Sequence, residues 1–137
     1  MIKILAIADL HWFTSEELSK IKDAEYDICV LLGDIPIDAI CSIKNLNGEK
    51  PIIGIAGNHD GWNSPELGGI ENIHCKAVEY CGYTFAGLSG SSRYKSGNYP
   101  MLDQKESIEL CRKIPKSDIF ISLNLILSRL LLISLYS

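Results

Sequence analysis

The stretch PIIGIAGNHD, residues 51–60, joins an apolar run to a cluster of glycine and polar residues, and it decides the fold. Two earlier stretches have the same form, IKILAIAD at residues 2–9 and YDICVLLGD at residues 26–34. Nearly continuous apolar runs of this length are typical of strands that are buried on both faces of a parallel sheet. The three stretches therefore predict three parallel strands, each of which delivers polar residues at its carboxyl end.

The segments between these strands carry helix signals. Thr14 and Glu17 have the spacing of a capping box, and the helix that they begin would extend to Ala24. Pro36 would be the first residue of a second helix, which Gly48 could end. The apolar stripe of this second helix would contain Ile37, Ile40, Cys41 and Leu46. Alternation of strands and helices predicts an α/β fold with right-handed crossovers.

The second half of the chain has a different pattern. Short β-rich pieces in residues 71–90 predict antiparallel or mixed strands, and residues 91–101 form a polar, aromatic loop. A helix is expected over residues 103–113, with Asp103 as its cap, and SDIFIS at residues 117–122 predicts another strand. The inward-facing residues of that helix would be Ile108 and Cys111.

Composition limits the class of protein. The 137 residues are enough for one domain, and the hydrophobic content of 47% and charged content of 22% are ordinary for a globular protein. A net charge of −4 gives no general basic surface for nucleic acid. The five cysteines have no CxxC pair and fit no common zinc motif, and no secretory leader is recognisable. Reduced thiols and a cytoplasmic location are therefore expected.

Polar residues at the three strand ends form a candidate metal site. These residues are Asp9, His11, Asp34, Asn58 and His59. In open α/β sheets ligands bind outside the carboxyl ends of the strands, and carboxylate, imidazole and amide groups suit a divalent ion such as Mn, Fe or Zn. Each residue alone also fits a turn or a helix cap. Their joint placement after three similar strands favours the metal site.

Three motifs together resemble those of the calcineurin-like metallophosphoesterase family. They are D-x-H at residues 9–11, G-D at residues 33–34 and G-N-H-D at residues 57–60, and they occur in the order of the family. The resemblance covers residues 1–122, which form the predicted partial domain. It implies an αββα sandwich and two divalent metal ions that hydrolyse phosphomonoesters or phosphodiesters.

The resemblance also implies a role for each motif residue that binds a metal. Asp9 and His11 would hold the first metal ion. Asp34 would bridge both ions, and Asn58 would hold the second.

The two remaining motif residues would act in catalysis. His59 would lie beside the phosphate and either stabilise the transition state or protonate the leaving oxygen. Asp60 would orient His59. The expected partner is thus a phosphoester substrate, with no specific signal for nucleic acid.

The chain departs from the family pattern after residue 122. The family places another metal-binding histidine after the strand that matches residues 118–122, where Leu123 stands, and ends its site with a later G-H-x-H segment that has no counterpart here. An incomplete second sheet, an incomplete second metal site and impaired activity are therefore expected. A frameshift in an AT-rich gene is one hypothesis for the change, and the other reading frames of the coding DNA would test it.

Residues 123–137 are predicted to be an apolar tail outside the family pattern. Their length together with residues 119–122 borders on a membrane span, but Asn124, Arg129 and several serines argue against one. An apolar tail and an incomplete sheet would expose apolar surface, so self-association is expected.

The sequence leaves two functions open. One is a metallophosphoesterase impaired by the missing ligands, and the other is a non-catalytic remnant that binds metal or phosphate. A third route has another chain supply the missing histidines. His74 is interpreted as a strand histidine in preference to a replacement ligand, and Trp12 as a packed aromatic residue at the rim of the site. Residues 93–95 would either touch phosphate or form a solvated loop.

Overall fold

Strands and helices alternate over the first half of the chain, as far as residue 72, in a computed structural model that describes residues 1–10, 14–123 and 130–135. Within these ranges there are four helices and ten strands. The helices are α1 (Ser15–Asp23), α2 (Ile37–Asn47), α3 (Ser64–Leu67) and α4 (Gln104–Lys113). The strands are β1 (Ile2–Ile7), β2 (Ile28–Leu31), β3 (Ile52–Gly54), β4 (Glu71–Asn72), β5 (Ala77–Tyr80), β6 (Tyr83–Leu88), β7 (Ser91–Ser92), β8 (Met101–Leu102), β9 (Ile119–Ser122) and β10 (Leu130–Leu135). The fold is mixed α/β.

The first sheet has the strand order β10-β1-β2-β3-β4. Strands β1 to β4 are parallel, and Ile4 of β1 lies opposite Ile28 of β2. Side chains of β1 alternate between two apolar clusters, because successive residues of a strand point to opposite faces. Leu5 and Ile7 join one cluster, whereas Ile2 and Ile4 join the other. Both faces of the sheet are therefore buried, as the apolar runs predict.

Helix α1 covers one face of the first sheet and begins as predicted. The Thr14 hydroxyl accepts a hydrogen bond from the Glu17 backbone N–H at 3.2 Å, and the Glu17 carboxylate accepts one from the Thr14 N–H at 3.1 Å. This reciprocal pair satisfies two N–H groups that the first helical turn leaves unpaired. Ile21 is the buried residue of the helix and packs into the cluster that contains Leu5.

Helix α2 covers the same face, but its buried stripe differs from the predicted one. The helix follows Pro36, and Gly48, with φ of 64°, ends it. The buried residues are Ala39, Ile40, Ile43 and Asn47. The prediction of Ile37, Cys41 and Leu46 in the stripe is wrong, because all three are exposed. Asn47 takes the inward position because its side chain accepts a hydrogen bond from the Tyr26 hydroxyl at 2.9 Å and donates one to the Lys50 carbonyl at 2.6 Å.

A second sheet with the order β5-β6-β9 covers the other face of the first sheet. Strands β5 and β6 form an antiparallel hairpin, whereas β6 and β9 are parallel, so the predicted mixed pairing is confirmed. The hairpin turns at Cys81 and Gly82, whose φ values of 53° and 79° fit a type I′ turn. Phe85 and Ile121 of this sheet pack against Val30 of the first sheet.

Helix α4 begins as predicted but faces solvent. Its cap, Asp103, accepts a hydrogen bond from the Glu106 N–H at 2.8 Å. The prediction that Ile108 and Cys111 face inward is wrong, since Ile108 is 44% exposed and Cys111 is also exposed. The helix has no buried residue among its ten positions. Three apolar residues, Ile108, Leu110 and Cys111, in a mainly charged segment are too few to bury a helix face.

Strand β10 belongs to the range that the sequence assigns to an apolar tail. It pairs antiparallel with β1, with Ile2 opposite Leu135 and Ile7 opposite Leu130. Ile133 and Leu135 pack against the apolar cluster between the two sheets. This part of the tail is therefore an edge strand of the first sheet. Among the residues that the structure describes, no helix is long and apolar enough to cross a membrane.

Candidate metal centre

The candidate site lies at the carboxyl ends of β1, β2 and β3. The backbone N–H of Asp9, after β1, donates to the Gly33 carbonyl at 3.1 Å, and the Leu10 N–H donates to the Asp34 carbonyl at 3.0 Å. The segments that carry the first two motifs are therefore joined directly. Because β1 and β2 are neighbouring parallel strands, their carboxyl ends place these residues side by side.

Hydrogen bonds to carboxylates join the second and third motifs. One oxygen of Asp60, Oδ2, accepts the backbone N–H groups of Asp34 and Gly57, each at 2.7 Å. In the opposite direction, Asp34 Oδ1 accepts the His59 N–H at 2.8 Å. Asp60 thus holds two loops together through their backbones. Its predicted role of orienting His59 stays a prediction.

The glycines of the two motifs allow this close approach. A Cβ atom on Gly57 would overlap the Asp34 carboxylate, and one on Gly33 would overlap the backbone of Gly57. Gly33 also has a φ of 96°, a conformation that glycine adopts readily. The close contact between the two loops therefore requires glycine as the first residue of the G-D motif and of the G-N-H-D motif.

Asp9 and Asp34 have backbones in the left-handed region, with φ of 52° and 55°. This conformation is uncommon outside glycine, although Asp and Asn adopt it more often than other residues. Strained positions of this kind persist where the surrounding structure fixes them, and they are concentrated at functional sites. Two such aspartates at neighbouring strand ends support a site at this edge.

Burial differs among the candidate residues. Asp34 and Asn58 are each 8% exposed, whereas Asp9 and His59 are exposed. Burial raises the pKa of Asp60 to about 6, even though the N–H groups of Gly57 and Asp34 act in the opposite direction. Strongly shifted carboxyl groups are concentrated at functional sites. The shifted pKa of Asp60 and the mixture of buried and solvent-facing polar groups are both typical of a binding site.

The loop between β7 and β8 reaches the same edge. Asn58 Nδ2 donates a hydrogen bond to the Tyr94 hydroxyl at 3.0 Å. The guanidinium of the preceding residue, Arg93, instead donates to the Met101 carbonyl at 2.7 Å. The Lys95 ammonium lies 4.1 Å from the centre of the Tyr99 ring. Of residues 93–95, Tyr94 is thus the one whose contact with a candidate ligand is observed.

Buried Ser89 is a residue of the site region that the sequence did not indicate. Its hydroxyl accepts the Ala56 N–H at 3.0 Å, just before the third motif, and the neighbouring Gly90 N–H donates to the Ala56 carbonyl at 2.8 Å. A serine inside a β-rich segment carries no signal for such a contact, because its partner is 33 residues away.

His74 has a structural environment, in agreement with the sequence interpretation. It forms an isolated parallel bridge with Gly87, and its Nδ1 accepts the Ser89 N–H at 2.9 Å. Its ring centre lies 5.3 Å from that of Trp62. Burial lowers the pKa of His74, against the nearby Glu66, which raises it. His74 thus joins the segment after β4 to β6 through its backbone and to Ser89 through its imidazole.

The donor atoms fit part of a divalent metal site. Asp9 and Asp34 supply carboxylates and Asn58 supplies an amide, which are ligands that Mn or Fe accepts. His11 and Trp12 lie outside the described residues. Within residues 1–10, 14–123 and 130–135, no group of three or more His, Cys, Asp and Glu side chains could hold a metal ion. A complete metal shell therefore requires His11 or a ligand from elsewhere.

Comparison with known proteins gives no independent assignment. No protein-family model matches the chain, and no curated protein matches it significantly.

Proposed function

We propose that this chain is a metal-dependent phosphoesterase of the calcineurin-like type, built on an αββα sandwich whose second sheet is incomplete. The observation that carries the proposal is the network around Asp34, which hydrogen-bonds the three motif-bearing loops together at one sheet edge. The order of helices, first sheet and second sheet supports the fold assignment. The left-handed backbones of Asp9 and Asp34 support the site.

Four residues would hold the metal ions. Asp9 and His11 would bind the first ion, Asp34 would be shared, and Asn58 would bind the second through its amide oxygen. When bound, Mn, Fe or Zn ions polarise a phosphoryl oxygen and lower the pKa of a bound water. The buried, hydrogen-bonded Asp34 supplies a carboxylate whose position is fixed before any ligand arrives.

His59 would contact the phosphoester. Its backbone N–H is held by Asp34 Oδ1, while the residue is exposed to solvent. A substrate that arrives from solvent would therefore meet this imidazole at the edge of the site. There it would donate a hydrogen bond to a phosphoryl oxygen or a proton to the leaving oxygen. Asp60 would keep the His59 loop in contact with the Asp34 loop.

The alternative function is a non-catalytic remnant that binds metal or phosphate. Two observations favour it: Leu123 follows β9 directly at the position of a family ligand, and the described residues contain no group of three or more ligating His, Cys, Asp and Glu side chains. Removal of a residue that hydrogen-bonds to a metal ligand costs roughly 10–100-fold in metal affinity or activity. Losing ligands should cost more, so we expect turnover at least ~10³ below that of an intact relative.

The test is hydrolysis of a chromogenic phosphodiester by the purified chain with Mn²⁺. Asp34→Asn is the site variant. Asp27→Asn is the matched control, because Asp27 lies beside the opposite end of β2 and accepts the Lys3 N–H at 2.8 Å. Slow turnover that Asp34→Asn abolishes and Asp27→Asn preserves would support the proposed phosphoesterase activity. Mn²⁺ binding without turnover would favour the remnant, and neither binding nor turnover would reject both.

A further inference from the structure

Tyr94 combines an exposed ring with a hydroxyl directed at a buried amide. The side chain is 64% exposed, yet its oxygen lies 3.0 Å from Nδ2 of Asn58, which is only 8% exposed. Exposed aromatic side chains ordinarily leave their polar atom in water. This hydroxyl instead contacts a residue of the candidate metal centre, 36 positions earlier in the chain.

The contact distinguishes the two ends of the Asn58 amide. A metal ion accepts the amide oxygen as a ligand and not the NH₂ group. With Oδ1 turned to a metal, the buried NH₂ group needs an acceptor, because an unpaired buried donor is unfavourable. The Tyr94 hydroxyl is such an acceptor. It therefore stabilises the amide orientation in which Oδ1 would be available as a ligand.

Hydrogen bonds from the residue before Tyr94 to β8 close the loop that carries Tyr94. The Arg93 N–H donates to the Leu102 carbonyl at 3.0 Å, and the Arg93 guanidinium donates to the Met101 carbonyl at 2.7 Å. Ser91 and Met101 also pair in the short parallel sheet of β7 and β8. The loop thus holds the hydroxyl in place before a ligand binds, which is how residues around a metal shell act on the ligands.

We propose that Tyr94 is a positioning residue of the metal centre, which holds the Asn58 amide with its oxygen available to a divalent ion. The inference rests on the proposed function, since it assigns Asn58 as a ligand. In this role Tyr94 would not bind the metal ion itself. It acts through Asn58 alone, so its effect must depend on having an amide at position 58.

The test is Mn²⁺ affinity, measured by titration calorimetry on the full chain without substrate. Tyr94→Phe should weaken Mn²⁺ binding about 10-fold, the low end for a partner of a metal ligand, because water can partly replace an exposed hydroxyl. Tyr99→Phe is the matched control and should bind like the wild type, since it removes a hydroxyl from the same loop. In an Asn58→Asp background, Tyr94→Phe should have no effect, because both carboxylate atoms are oxygens.

Nuclear magnetic resonance gives a second readout without metal. Tyr94→Phe should shift the one side-chain amide pair that is missing in Asn58→Asp. An unshifted pair, wild-type Mn²⁺ affinity in Tyr94→Phe, or an equal loss in the Asn58→Asp background would each overturn this inference and leave the proposed function standing. A wild-type chain that binds no Mn²⁺ would overturn the proposed metal centre, and the role of Tyr94 with it.

Discussion

Single backbone positions at the edge of the first sheet leave no room for a side chain. A Cβ atom at Gly57 would meet the Asp34 carboxylate, whereas one at Gly61 would have its nearest neighbour at 3.5 Å, an ordinary contact. Both glycines lie in the loops after β3, four residues apart. The requirement for glycine thus comes from the carboxylate opposite and not from the turn as a whole.

Gly57→Ala should therefore destabilise the protein. The added methyl group must displace either Asp34 or its own loop, and overpacking of this kind costs about 1–3 kcal/mol. Urea unfolding measures the loss. The matched control is Gly61→Ala, which should change the free energy of unfolding by much less. Equal effects of the two substitutions would show that the Asp34 contact is unimportant.

His74 should make stability depend on pH. Burial lowers its pKa in the folded state below the usual 6.5, so the unfolded chain binds more protons in that range. The contribution of His74 is fully present above about pH 6.5 and is lost as the pH falls through the lowered folded pKa. Protonation would also remove the acceptor for the Ser89 N–H.

The measurement compares wild type with His74→Gln, whose side-chain oxygen can still accept the Ser89 N–H. The free energy of unfolding of the wild type should fall more between pH 7 and pH 5 than that of the variant. Contributions of other groups, including Asp60, cancel in this difference. Parallel pH profiles would contradict the prediction.

At the scale of elements, local signals predicted where helices and strands begin but not always which face is buried. The capping box of Thr14 and Glu17, the Asp103 cap and the Gly48 stop are present as expected, because they depend on residues close in sequence. The buried face of α2 is not evident from the sequence. Apolar Ile37, Cys41 and Leu46 are exposed, whereas the polar Asn47 is buried and hydrogen-bonds to Tyr26, 21 residues away. Strand β10 was missed because its apolar run has no turn residue to delimit it and its pairing partner is β1.

Asn47→Ala should consequently be as damaging as a core substitution. It would leave both the Tyr26 hydroxyl and the Lys50 carbonyl without their partner, at a cost of about 1–3 kcal/mol. Asn45→Ala, at an exposed position of the same helix, is the matched control and should change stability little. Chemical denaturation of the two variants distinguishes a buried polar anchor from a solvated asparagine.

In the candidate site, too, contacts between residues that are far apart in sequence could not be predicted. Three strand-end motifs could be placed at one edge because parallel strands end together, and Asp9, Asp34 and Asn58 follow β1, β2 and β3. The contact of Tyr94 with Asn58 could not be predicted, because it depends on how a long loop folds back over the sheet. Local spacing therefore predicts the candidate ligands, whereas the residues that contact them appear only in the three-dimensional structure.

At the scale of the whole molecule, the two sheets do not cover each other fully. A cavity of about 280 Å³ lies between them, lined by residues of β1, β2, β6, β9 and β10. Within the described part of the chain, β9 is an edge strand, and its Phe120 is 50% exposed. An open edge beside exposed apolar surface is a site where other chains can pair.

We therefore expect the protein to self-associate through the β9 edge, and Phe120→Lys should shift it toward the monomer. A lysine on an edge strand opposes pairing, because its charge would have to be buried between two chains. Leu67→Lys is the matched control, since Leu67 is 59% exposed on α3, outside the cavity lining. Size-exclusion chromatography with light scattering, over a range of concentrations, gives the mass of each variant. A wild-type monomer at high concentration would contradict self-association, and equal shifts in both variants would mean that general surface charge, not the β9 edge, controls it.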